Sequence, residues 1–113
     1  MHVIHHAMLA RHAEAGCCRQ TVAGGDVCAA PFEVQLLVLE PGACTPQATH
    51  RAACVVVALE GSGKLMLECG PERFQAPCTL AVAAGAPHRI VNNAAAPLQL
   101  VCVHGAALDR EDA

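Results

Sequence analysis

Two histidines and a cysteine in the middle of the chain have the side chains and spacing that suit metal chemistry. His50 and Cys54 flank the short run Arg51-Ala52-Ala53. If that run is a tight loop between antiparallel strands, the pair stands directly opposite, with Cβ atoms roughly 4.5–5.5 Å apart. An imidazole nitrogen binding at about 2.0–2.1 Å and a thiolate at about 2.3 Å can then share one ion. A third donor is available in His88, which opens the apolar run His88-Arg89-Ile90-Val91 directly after Pro87. Proline at that point fixes the angle at which the chain enters the strand. Spacing alone leaves open whether His88 faces His50.

Other reactive side chains read as packing or as solvated charge. His2, His5 and His6 would share one side of a helix, with His12 further on, but histidines clustered at a chain end stay solvated and carry no assigned role. Cys17-Cys18 has no CxxC partner and the chain no HExxH, so neither a zinc ribbon nor a metalloprotease motif is present. Arg51 and Arg89 each follow a proposed ligand and, by alternation, point away from it as rim charge. Glu40 and Glu60 close apolar runs without a second carboxylate at a spacing that suits acid–base work.

The elements that must position these donors are strands. From Phe32 onward, apolar runs at 32–40, 54–60, 64–68, 73–83, 88–91 and 97–104 alternate with clusters of Gly, Pro and Asn. Short strands at even spacing, separated by turn formers, predict an antiparallel sandwich or barrel with no helix of normal length between them. In the last run Leu98, Leu100, Cys102 and His104 share one side, while Gln99, Val101 and Val103 share the other. Both faces are therefore at least half apolar, and both must be covered. The inner face fills the barrel, and the outer face needs the N-terminal arm or a second subunit, so a homodimer is expected. Residues 1–31 are expected as a partly β arm packing on the barrel or the partner, 32–105 as the barrel, and 106–113 as a short acidic tail.

Composition narrows the function classes. With 113 residues the chain is one domain, and 54 % hydrophobic against 15 % charged residues exclude a disordered chain. A formal net charge of -3 offers no basic stripe for phosphates, so nucleic acid is not an expected partner. No apolar run approaches the roughly 20 residues of a membrane helix, and the first residues lack the pattern of a signal peptide; a cytoplasmic protein without a membrane partner is expected. Eight cysteines in a chain this rich in core formers read mostly as reduced, buried thiols rather than as a disulfide scaffold. With Phe32 and Phe74 as the only aromatic residues, any pocket has aliphatic walls and little stacking surface for a sugar or base.

Over residues 32 to 104 the chain resembles the small single-domain cupins, the conserved-barrel family. Its first motif is matched by Gly42, His50 and Gly61 in register, with Ala48 at the first histidine position and Cys54 at the glutamate position. The second motif is matched by Gly85, His88 and Asn92, with Pro77 at its first glycine and Ala83 at its proline. The resemblance implies an all-β double-stranded β-helix, or jelly-roll, and a metal held inside the barrel by three histidines and one glutamate. Carried over position by position, the ligand set becomes His50, Cys54 and His88. Cys44, six residues before His50, faces inward with it if the strand is regular and could contribute or replace a ligand; Cys102 is a weaker candidate. Sulfur turns preference away from manganese and magnesium toward zinc, copper or iron. Two functions follow: a barrel that binds a metal ion, a small molecule or both, or a metal-dependent enzyme of dioxygenase, isomerase or decarboxylase type acting on a small organic substrate. The resemblance to thiol dioxygenases stops at the cysteine, because the chain has no tyrosine to cross-link with it.

Overall fold

Runs rich in Val and Leu form the strands, and Gly, Pro and Asn end them, as alternation and turn chemistry require. The computed structural model describes residues 3–105, so His2 and the expected acidic tail lie outside the described residues. A short 3-10 turn at His6–Met8 precedes β1 (His12–Glu14), β2 (Cys17–Ala23), β3 (Glu33–Leu39), β4 (Cys54–Glu60), β5 (Ser62–Leu67), β6 (Gly70–Gln75), β7 (Cys78–Val82), β8 (His88–Val91) and β9 (Leu98–His104). All pairings are antiparallel, in a six-stranded sheet of order β1-β2-β3-β9-β4-β7 and a three-stranded sheet of order β6-β5-β8. The two layers enclose one core, as expected for a jelly-roll.

Residues 3–31 do more than wrap the barrel. β1 and β2 form a hairpin closed by Ala15 and Gly16, both at positive φ, the conformation that matches the twist of a two-residue connection. β2 then pairs with β3 and extends the larger sheet. The preceding segment is tied to β2 through Gln20, whose Nε2 donates to the carbonyls of His6 and Leu9.

The apolar run at 73–83 is not one strand. Ala76 and Pro77 divide it between β6 in the smaller sheet and β7 in the larger. Proline supplies no ladder donor, so the chain changes sheets there. Between β4 and β5 the chain passes from the larger sheet to the smaller at Gly61, with φ +100°, where a Cβ would lie 2.7 Å from the Pro97 carbonyl oxygen. Only glycine fits that approach.

Inward residues of both sheets make the core: Leu37 and Leu39 of β3, Val56 and Ala58 of β4, Leu65 of β5, Leu80 and Val82 of β7, Ile90 of β8, and Leu98 and Leu100 of β9. Asn92, fully buried among them, donates through Nδ2 to the carbonyls of Leu39 and Ala96 (2.9 Å each) and accepts from the Ala94 N–H at 3.0 Å. Its amide thus ties the end of β3 to the turn that leads into β9. Outside, the larger sheet carries Val38, Val55 and Leu59 at 37, 40 and 51 % exposure.

Candidate metal centre

The donors converge because the chain from 43 to 50 runs along β8 rather than pairing with β4. Isolated bridges join Cys44 to Val91 and Ala48 to His88. The first span covers 48 − 44 = 4 steps against 91 − 88 = 3 on β8, so one extra residue bulges from this segment. Thr45 stabilises the bulge: its N–H donates to the Ile90 carbonyl, and its Oγ1 accepts the Ile90 N–H, each at 2.9 Å. An added residue reverses every side chain beyond it. Cys44 is therefore exposed, whereas Ala48 and His50 turn toward the barrel. The inward orientation expected of Cys44 presumed a regular strand and is not observed. The expected hairpin between His50 and Cys54 is also replaced, since residues 50–53 cross from one sheet to the other.

His50 follows the bulge and is half-buried; its carbonyl accepts the Gly85 N–H at 2.8 Å, which docks the 83–87 turn against it. His88 opens β8, is 6 % exposed, and exchanges two backbone hydrogen bonds of 2.9 Å with Ala48. Its ring Nδ1 lies 3.0 Å from the Ala86 carbonyl oxygen. A carbonyl can only accept, so Nδ1 carries the proton and the neutral ring keeps its lone pair on Nε2. Cys54 opens β4, is 3 % exposed, and pairs with Val82 of β7.

The structure brings one ligand atom from each of His50, Cys54 and His88 within 4.8 Å of the others. A tetrahedral ion with the bond lengths given above needs separations of about 3.3–3.6 Å. Contraction by about 1 Å is within reach of small side-chain torsions, so the donor set fits a metal in both chemistry and spacing. Among the described residues this is the single such group; His5, His6 and His12 form none. Cys44 instead borders a separate cavity with Cys17 and Arg11.

Beside the three donors lies a cavity of about 270 Å³ with Leu37, Val56 and Ile90 among its walls and Glu33, Cys102 and His104 on its polar side. Cys102 remains a thiol: burial first, then the neighbouring Cys54, pushes it up to about 12. His104 was given no role by sequence reasoning, yet its ring stacks on His50 with centroids 4.9 Å apart and planes 19° apart. The rings of His50 and His88 lie 5.6 Å apart at 47°. The signal was present in the alternation that puts Leu98, Leu100, Cys102 and His104 on one face. What fixes its place is register: the pairs Val55↔Val103 and Val56↔Cys102 bring His104 abreast of Cys54.

Known structures share this architecture. A Cupin 2 conserved barrel domain protein from Salinispora arenicola aligns with TM-score 0.75 and 22 % identity over 97 % of this chain and 92 % of that one. The polyketide cyclase RemF from Streptomyces resistomycificus aligns with TM-score 0.76 and 20 % identity over 91 % and 78 %. A cupin-superfamily sugar phosphate isomerase from Silicibacter pomeroyi aligns with TM-score 0.72 and 22 % identity over 86 % and 71 %. No curated protein matches the chain in sequence. The cupin domain model matches residues 35–104, from within β3 to the end of β9, and the chain belongs to the cupin domain family.

Proposed function

We propose that the protein binds one soft divalent metal ion through His50, Cys54 and Nε2 of His88, with zinc, copper or iron as the metals suited to that set. The observation that carries this reading is the convergence of the three donor atoms within 4.8 Å, with the His88 lone pair already directed away from Ala86. When bound, the ion supplies a Lewis acid. The chain's own groups do the rest. Ala86 fixes the His88 tautomer, the His104 ring stacks against His50, and Leu37, Val56 and Ile90 keep water from one side of the cavity.

Three protein donors leave room for a small-molecule ligand from the cavity, which supports extending the reading to a metal-dependent enzyme on a small organic substrate. Likeness to a polyketide cyclase and a sugar phosphate isomerase at 20 and 22 % identity carries the fold and not the reaction. A second copy of the chain is the partner in this reading, and its support is the apolar outer face around Val38, Val55 and Leu59.

Cobalt(II) substitution tests the ligand set. The reading predicts a thiolate-to-cobalt charge-transfer band in the wild type that vanishes in Cys54→Ser. The same band in both proteins would exclude Cys54 as a ligand.

A further inference from the structure

Arg19 stands where two cavities meet. Its side chain borders the 270 Å³ cavity of the metal centre and an adjoining one of about 680 Å³, and Thr45 and Pro46 of the bulge border both with it. In β2 it lies opposite Leu37 of β3, on the face turned to the barrel interior. Its Nε is buried and has no hydrogen-bond partner. Folded proteins seldom leave a buried donor unmet, least of all on a cation, where the loss is larger than for a neutral group. The guanidinium also acts on its surroundings, drawing down the pKa of Cys17 against the larger effect of burial. The carboxylate on the metal-centre side, Glu33, is engaged by Gln35, whose Nε2 donates to Oε1 at 2.9 Å.

The geometry points to an anion-binding subsite: we propose that the metal-centre cavity takes a small organic carboxylate whose anionic group is held by Arg19 at Nε, with the remaining donor facing His50, Cys54 and His88. Its second half rests on the metal reading above, while the Arg19 subsite does not. Nε–H and an adjacent Nη–H form a planar fork that the two oxygens of a carboxylate match. A volume near 270 Å³ lies just below the range for drug-sized ligands, so the acid is small.

Calorimetric titration of the zinc-loaded full chain with glycolate, malonate and the neutral analogue glycolamide tests this. Glycolate and malonate should bind and glycolamide should not. Arg19→Met should weaken carboxylate binding about tenfold or more, and Arg19→Lys should keep part of it, with both variants retaining the wild-type metal content and melting cooperatively. Equal binding of glycolate and glycolamide, or unchanged affinity in Arg19→Met, would overturn the subsite. Wild type that takes up zinc yet binds neither acid refutes the subsite and leaves the metal reading standing. Arg19-dependent binding in protein that takes up no zinc upholds the subsite and refutes the metal reading.

Discussion

Raising the pH should destabilise this protein, chiefly through one thiol. Cys102 lies on the inner wall of β9, between Gln35 of β3 and Val56 of β4, where burial and then Cys54 raise its pKa from an ordinary 9.0 to about 12. Below pH 9 the thiol is protonated in both the folded and unfolded chain, so its contribution is fully present. Between about 9 and 12 the unfolded chain releases the proton and the folded one does not, and stability falls as pH rises. Each unit corresponds to about 1.4 kcal/mol, with an upper value of about 4 kcal/mol over the whole window. The background is favourable, since the chain has no tyrosine and Lys64 is its single lysine. Cys17, also raised by burial, adds a slope of the same sign. Urea unfolding at pH 8, 9, 10 and 11, with reductant and chelator, compares wild type with Cys102→Ala. The variant should lose about 1 kcal/mol at pH 8 from the missing packing, then decline less steeply than wild type above pH 9. Parallel curves for the two proteins would refute the reasoning.

The buried amide of Asn92 satisfies three backbone groups, so Asn92→Ala should cost about 3 kcal/mol or more, read as a lower urea midpoint at unchanged slope. Thr45→Val keeps the shape at the bulge but leaves the Ile90 N–H without its side-chain acceptor; the expected loss is about 1–3 kcal/mol, a fall in Tm of several degrees by calorimetry. Light scattering should give roughly twice the 11.7 kDa chain mass for wild type and the single-chain mass for Val55→Asp. A wild-type monomer would exclude the outer face as a dimer surface.

Most strand positions are legible in the sequence because turn formers punctuate β-branched and leucine-rich runs. β4 occupies the apolar run at 54–60, and β8 the run at 88–91. The break at Ala76-Pro77 is less legible, because both flanking segments are good strands and only the sheet assignment separates them. Alternation is a local rule, and one extra residue defeats it. Nothing in residues 42–50 announces that four steps there are matched by three on β8, so the orientation of Cys44 depends on a partner more than 40 residues away. His104 illustrates the same limit. Its face is readable from its own strand, but its stacking on His50 depends on the β4–β9 register and on the bulge together. The spacing of His50 and Cys54 suggests proximity through a hairpin, whereas the structure brings them together by crossing between sheets. Buried Asn92 is legible only as a motif position; its physical task, bonding carbonyls on two separate segments, is visible once both are placed.

The most direct test of the metal centre is elemental analysis of protein prepared without an affinity tag, so that added histidines cannot contribute. About one zinc, copper or iron per chain is predicted for wild type, with loss of that metal in His50→Ala, Cys54→Ala and His88→Ala. Full metal content in all three variants, or a wild type that takes up none of the three metals when they are supplied, would contradict the account.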